Sequence, residues 1–365
     1  MISRRQVLAM AGAIPAWAIL KSSAETIPAA QADQAPVGAK NFTRMGGTPT
    51  AFVLNSMASK GSSKPFDIVE HCHNINLAGV QTNPPSNDPE AIKAFRQRLD
   101  KYEMHLICDP FDFGFLKQQL DVAAFEARIK AFKEAGAVAC HAALTGRRYE
   151  DYSTLEPFRQ MFEHCKKNIA LAEPVLRKYK MRLGIENHKG WRSAEQVAWL
   201  KQLGSEWVGV CFDFGNNISL CEEPMDTVRT LAPYTFFAHI KDVAVEEYED
   251  GFLLSEVPMG EGILDLKQMV KILRQKDPKV IFDLEMITRD PLKIPVYATK
   301  YWATFDDSYS PLPGRDLARV LAMVKQNRPK APLPRITGMD TAAQVKAEND
   351  YNARCIAYAR QILDR

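Results

Sequence analysis

The sequence predicts a (β/α)8 TIM barrel, a closed ring of eight parallel strands wrapped by helices, with a helical extension at its C-terminus. Two patterns carry this expectation. Short apolar or β-branched runs alternate with segments of helical period from residue 51 to residue 327, and eight such runs are the count that closes a parallel barrel. Four of the later runs stop at a carboxylate or an imidazole, at Glu186, Asp213, His239 and Glu285. The C-terminal ends of strands are where such barrels keep their chemistry. A doubly wound open sheet is the competing architecture, but no GxGxxG follows the first run and the polar ends recur on four late strands instead.

Taken in order, Ala51-Phe52-Val53-Leu54-Asn55 reads as the first strand and 65–74 as a helix opened by Pro65. The second strand is 79–82, followed by a charged amphipathic helix over 89–102. The third is 104–108, before a helix over 121–135, and the fourth is 137–141, before a long helix over 154–178. Strands five to eight fall at 182–187, 208–212, 235–240 and 279–284, and 316–326 reads as the last barrel helix. The barrel domain therefore covers 49–327. The Pro-rich run Arg328-Pro329-Lys330-Ala331-Pro332-Leu333-Pro334 breaks the chain, and 341–363 reads as a long mixed-charge helix within an extension over 328–365. That helix is expected to clamp the outside of the barrel, a homo-oligomer contact being the alternative.

At the strand ends, Glu186, Asp213, His239 and Glu285 would converge on one divalent cation. Three oxygen donors and one nitrogen suit Mn²⁺, Mg²⁺ or Co²⁺, with Zn²⁺ as an alternative, and exclude a thiolate-type site. Any one of the carboxylates alone could be an ion-pair partner; the four residues together favour ligation. His188 lies two residues past Glu186 on the same strand face, and His141 ends the fourth strand, so both are candidates for substrate contact. Asp109 ends the third strand, where nothing in the sequence separates it from a turn residue. Trp191 and Phe214 flank the ligands, with stacking on a substrate ring and packing in the core equally open. His71 and His73 fall inside a helix and read as packing or surface residues.

The segments Gly184-Ile185-Glu186-Asn187-His188-Lys189-Gly190, Cys211-Phe212-Asp213-Phe214-Gly215-Asn216 and His239-Ile240-Lys241-Asp242, with Met259-Gly260-Glu261-Gly262, resemble the sugar phosphate isomerase/epimerase superfamily of xylose-isomerase-like TIM barrels. The resemblance spans roughly residues 50–300. It implies that Glu186, Asp213, His239 and Glu285 ligate the metal, that Glu186 and Glu285 double as an acid/base pair, and that His188 and Lys241 contact substrate. Ketose 3-epimerases of this group place a histidine three residues after the ligand aspartate and an arginine six after the ligand histidine. Here Asn216 and Val245 stand at those positions, so Asn216 becomes the expected substrate contact, and a free ketose is not assured as substrate. Asn216 also weighs against the endonuclease IV branch, which needs further histidines for a multi-zinc cluster. The expected reaction is isomerisation or epimerisation of a non-phosphorylated carbohydrate through an enediolate. A lyase or hydrolase cleaving a 3-keto-glycoside at the same site is the alternative; a non-catalytic sugar-binding barrel would predict degraded ligands, and all four are intact.

The N-terminal 32 residues read as an export signal rather than as fold. Ser3-Arg4-Arg5-Gln6-Val7-Leu8 precedes an uncharged stretch over 7–20, and Ala30-Gln31-Ala32 offers small residues for cleavage, the pattern of a twin-arginine signal. The expected location is periplasmic or otherwise exported, with the twin-arginine machinery as partner. The stretch is short for a stable membrane anchor. Residues 33–48, small, polar and Gly-rich, read as a linker. The formal net charge of +3 drops to about +1 without the signal, and no basic patch suggests nucleic acid. Seven cysteines include no CxxC pair, and most lie in apolar runs, which favours buried thiols over disulfides.

Overall fold

A computed structural model describes residues 43–110, 118–144 and 146–364. The signal read over 1–32 lies outside them. The barrel strands are β1 (Thr43–Gly47), β2 (Leu77–Gln81), β3 (His105–Cys108), β4 (Ala139–Ala142), β5 (Leu183–Glu186), β6 (Val208–Asp213) and β7 (Thr235–Ile240). Two further strands, β8 (Asp242–Tyr248) and β9 (Gly251–Val257), precede the eighth barrel strand, β10 (Ile281–Leu284), and β11 (Leu292–Ile294) follows it. The ring order is β1-β10-β7-β6-β5-β4-β3-β2, every pairing is parallel, and β1 closes the ring onto β2. The predicted fold class is therefore the observed one.

One strand was expected in the wrong place. Ala51–Asn55 is helical, as a 3-10 turn over Pro49–Phe52 and an α-helix over Val53–Ala58; the first barrel strand is Thr43–Gly47, inside the stretch read as linker. The two glycines that suggest a linker serve the barrel instead, Gly46 facing its lumen and Gly47 packed against Phe52, Cys72 and Leu77. A Cβ on Gly46 would stand 2.0 Å from Asp283 Oδ1 and 2.7 Å from His105 Nε2, and those two side chains bond across the lumen at 2.7 Å. Only a residue without a side chain leaves room for that buried pair. Ile107, Ala139, Cys211 and Phe237 form a separate apolar cluster of buried residues from four barrel strands.

The helices start where short acceptors meet orphan N–H groups. Asp88, Asp121, Asp265 and Asp340 each accept the backbone N–H three residues on, at 2.8–3.1 Å, which contributes about 1 kcal/mol per helix. The hairpin β8–β9, with β11 on its outer side, makes a three-stranded antiparallel sheet between β7 and its helix Leu266–Lys276.

The C-terminal helix Thr341–Leu363 clamps the barrel's outside, as predicted. Buried Glu348 takes the backbone N–H groups of Leu54 and Asn55 at 2.8 and 2.9 Å, capping the short helix Val53–Ala58 from another element. Asn352 Nδ2 donates to Ala51 O at 2.7 Å, and Arg360 Nε to Thr43 Oγ1 at 3.1 Å. All seven cysteines are buried and free. No helix among the described residues is long and apolar enough to cross a membrane.

Candidate metal centre

Period-two alternation along four neighbouring strands builds the site. On β5, β6, β7 and into the residue after β10, the positions Gly184/Glu186, Cys211/Asp213, Phe237/His239 and Asp283/Glu285 share the inner face, so small or apolar residues lie one layer beneath three of the polar ends. In register, Asp213 stands beside His239, and His239 beside Asp283. The structure brings all four predicted ligands together: one donor atom from each of Glu186, Asp213, His239 and Glu285 lies within 4.8 Å of the others, and all four residues are buried.

The tautomer of His239 follows from its neighbours. A carboxylate only accepts, so Gln81 turns its Nε2 to Asp109 Oδ1 at 3.0 Å and its Oε1 to His239 Nε2 at 2.7 Å. His239 Nε2 must then carry the proton. Its Nδ1 is buried without a hydrogen bond, 3.4 Å from Glu285 Oε2, and offers a lone pair to the centre. The same Asp109 oxygen accepts from His141 Nδ1 at 2.8 Å, and His141 Nε2 donates to Glu186 Oε2 at 3.0 Å. Burial alone would lower the pKa of His141, but the two carboxylates outweigh it and raise it to about 10, so the imidazolium holds Glu186 and Asp109 together.

The other carboxylate oxygens have partners except Asp213 Oδ1, which is buried without a hydrogen bond, 2.8 Å from Lys241 Nζ. Lys241 Nζ donates to Asp213 Oδ2 at 2.8 Å and to Glu285 Oε2 at 3.0 Å; Asn216 Nδ2 donates to Glu186 Oε1 at 3.0 Å and to Asp213 Oδ2; Thr50 Oγ1 donates to Glu285 Oε1 at 3.2 Å. Burial works against all three carboxylate charges. His188 and His141 overcome it at Glu186, and Lys241 leads the opposition to it at Glu285, so both stay well below the usual carboxylate range. At Asp213 burial and the charges of Glu285 and Glu186 prevail over Lys241 and push the group well above that range. Three crowded carboxylates with one ammonium are short of positive charge, and a bare imidazole nitrogen faces them. These residues fit a divalent ion with hard or borderline preference. His141, Cys211 and His239 form a second donor group. There, burial first and then the nearby carboxylates push the Cys211 thiol up, against thiolate ligation.

Of the predicted substrate contacts, Lys241, Asn216 and His141 all reach the ligand carboxylates, and His188 Nδ1 lies 3.3 Å from Gly146 O. Trp191 and Phe214 belong to the core: Trp191 packs on Phe162 and Trp199, and Phe214 on Phe212. Asp242 makes no local pair with Lys241. Its carboxylate accepts the N–H groups of Val243, Gly260, Gly262 and Leu264 at 2.9–3.2 Å and fastens the Gly-Glu-Gly loop. A Cβ on Gly262 would stand 2.2 Å from Asp242 Oδ1, so the loop needs glycine there. Sequence reasoning missed Gln81, Lys189, Glu256 and Arg289. Lys189 donates from its buried Nζ to Asn216 Oδ1, and Arg289 grips Glu256 through two nitrogens at 2.6 and 3.0 Å.

A parallel eight-stranded barrel with this donor set at its strand ends defines a class, and the comparison with known proteins gives it a family. The chain belongs to the xylose isomerase-like TIM barrel family, whose model matches residues 65–303. It is 24% identical over 207 residues to the uncharacterized protein YihM of Escherichia coli (strain K12), covering 56% of this chain and 61% of that protein. It is 27% identical over 109 residues to the 3-oxo-isoapionate decarboxylase of Pectobacterium atrosepticum, covering 29% of this chain and 40% of the enzyme. The chain thus matches less than two thirds of the length of either relative. Among solved structures, D-psicose 3-epimerase in the presence of D-fructose superposes with a TM-score of 0.53 at 15% identity, covering 81% of this chain and 93% of that one. A xylose isomerase domain protein from Planctomyces limnophilus gives 0.50 at 12% identity, covering 79% and 97%. These likenesses are of fold.

Proposed function

We propose that the protein is a metal-dependent sugar isomerase or epimerase that acts on a non-phosphorylated carbohydrate through an enediolate. The observation that carries this reading is the convergence of Glu186, Asp213, His239 and Glu285 within 4.8 Å at the strand ends of a barrel of this family. A divalent ion held there supplies a Lewis acid for neighbouring carbonyl and hydroxyl oxygens and offsets the charge of the developing enediolate. The chain's own groups do the rest. Glu186 and Glu285, both held in the charged form, remove a proton from the carbon next to the carbonyl and return one. His141 and Asn216 aim Glu186, Lys241 and Thr50 aim Glu285, and these contacts fix each carboxylate before substrate arrives. His188, Lys241, Asn216 and His141 are the groups that would meet substrate hydroxyls.

A second reading, a lyase that cleaves a bond near the carbonyl at the same site, is favoured by the relative named 3-oxo-isoapionate decarboxylase. In that outcome the carbanion arises by bond cleavage and only its reprotonation uses a glutamate. A 3-keto-glycoside would instead lose its aglycone after a glutamate takes the proton on the carbon between the carbonyl and the anomeric carbon, the C–O electron pair leaving with the aglycone.

The test is turnover in D₂O with free ketoses and keto-glycosides. Deuterium at the carbon beside the carbonyl is expected in the product, whether epimer or fragment. Glu285→Gln is expected to lower kcat by about 10²–10⁴-fold. Product without carbon-bound deuterium, with internal return excluded by labelled substrate, would overturn the paired-glutamate mechanism. The twin-arginine pattern at Arg4 and Arg5 supports a periplasmic location, where sugar phosphates are scarce. Replacing both with Lys should retain the precursor in the cytoplasm, and unchanged export would rule the route out.

A further inference from the structure

Lys189 is a buried cation that lacks an anion. It lies on the loop after β5, three residues beyond Glu186, with 3% of its surface exposed. Among the described residues its Nζ has one hydrogen-bond acceptor, the amide oxygen of Asn216, and no carboxylate within ion-pairing distance. Buried ammonium groups are ordinarily paired, because desolvation costs several kcal/mol that one amide does not return. The charges that act on Lys189 make its position worse. Lys241 and Arg289 are the leading ones, both cations. The two nearby carboxylates are already engaged, Glu256 by the forked contact of Arg289 and Asp213 by Lys241.

The balance of charge points the same way. With a divalent ion in place and Lys189 protonated, as an incoming carboxylate would favour, that ion, Lys189, Lys241 and Arg289 together exceed Glu186, Asp213, Glu285 and Glu256 by one positive charge, while His141 and Asp109 cancel. Arg289, partly exposed where Lys189 is buried, puts the cationic side of the site toward solvent. The chain supplies no further acid to Lys189, so the missing partner comes from outside.

We propose that the substrate is a sugar acid, and that its carboxylate pairs with Lys189, with Arg289 flanking it. A neutral sugar would leave the ammonium with its single amide acceptor. A phosphate would bring nearly two charges to a surplus of one, and the loop Ile287-Thr288-Arg289-Asp290-Pro291 has no glycine-rich backbone cradle for it. The proposal rests on the metal-site reading above and narrows it to one substrate class.

Calorimetry on the metal-loaded full-length mature protein separates the two. The probes are 2-keto-D-gluconate, D-fructose and D-fructose 6-phosphate, each titrated into wild type, Lys189→Gln and Lys189→Arg. The keto acid is expected to bind about tenfold or more tightly than fructose. That ratio should collapse toward one in Lys189→Gln and survive in part in Lys189→Arg, which keeps the charge and guards against a merely misfolded glutamine variant. Equal affinity for acid and neutral sugar, a preference that persists in Lys189→Gln, or tightest binding of the phosphate would each overturn the carboxylate assignment while leaving the metal site standing. Failure of all three sugars to bind a protein that does take up metal would overturn the underlying sugar-enzyme reading as well.

Discussion

Gln81 decides which nitrogen of His239 faces the three carboxylates of the candidate metal centre. Its amide is pinned by Asp109 on one side, so its carbonyl takes the Nε2–H of His239 at 2.7 Å and leaves Nδ1 bare among the carboxylates. Contacts of this kind, one step behind the ligands, fix both the tautomer and the ring plane.

Gln81→Leu should therefore weaken metal binding by about 10–100-fold without unfolding the barrel. Asp109→Ala should do at least as much harm, because it frees both Gln81 and His141. Metal titration of the variants, alongside circular dichroism, checks both expectations. An unchanged affinity in Gln81→Leu would mean that the ring is held by its backbone alone.

Lys189 gives the metal-free protein a pH signature. Burial first, then Lys241 and Arg289, bring its pKa down from 10.5 to about 7. The folded chain therefore holds this proton less tightly than the unfolded chain. Below about pH 7 both states are protonated and the full cost of burying the charge is present. Between about 7 and 10.5 the folded state is neutral while the unfolded state is still charged, and the cost shrinks as pH rises; above 10.5 it is gone. Lys189→Met should raise the Tm of the metal-free protein most below pH 7, with the gain closing toward pH 10. Thermal unfolding across that range is the measurement, and a gain that is flat or grows with pH would contradict the assignment.

Glu348 ties the C-terminal helix to the segment that carries Thr50, whose hydroxyl touches Glu285. Removing its carboxylate strands two backbone N–H groups at a helix start, a loss of about 2–4 kcal/mol. Glu348→Ala should lower Tm by roughly 5 °C or more, and Glu348→Gln by less. An unchanged Tm in Glu348→Ala would show that water replaces the cap.

The barrel was legible because seven of its strands are apolar runs alternating with helical segments, and the four candidate ligands because they end such runs. The first strand was hidden by its own packing. Thr43–Gly47 is glycine-ended since Asp283 and His105 fill the space a side chain would need at Gly46, and Phe52, Cys72 and Leu77 do so at Gly47, and that composition reads as a linker. Ala51-Phe52-Val53-Leu54 is apolar enough for a strand, but Pro49 opens a helical turn and Glu348, almost 300 residues away, caps the helix. Strands β8 and β9 flank Asp250-Gly251, a hairpin signal overlooked beside the metal motif. Gln81 ends its strand as the candidate ligands end theirs but carries an amide, which does not read as a ligand, and Lys189 and Arg289 lie on loops with no period to betray them. Their roles come from neighbours on other strands, and only the closed ring brings those together.

Metal uptake by the purified mature protein tests the central claim most directly. Stripped protein titrated with Mn²⁺, with elemental analysis of the product, should take up about one ion per chain. Asp213→Ala should bind at least about tenfold more weakly with its circular dichroism unchanged. Uptake of no divalent ion by the wild type, or the same affinity in Asp213→Ala, would contradict the assignment of Glu186, Asp213, His239 and Glu285 as a metal centre.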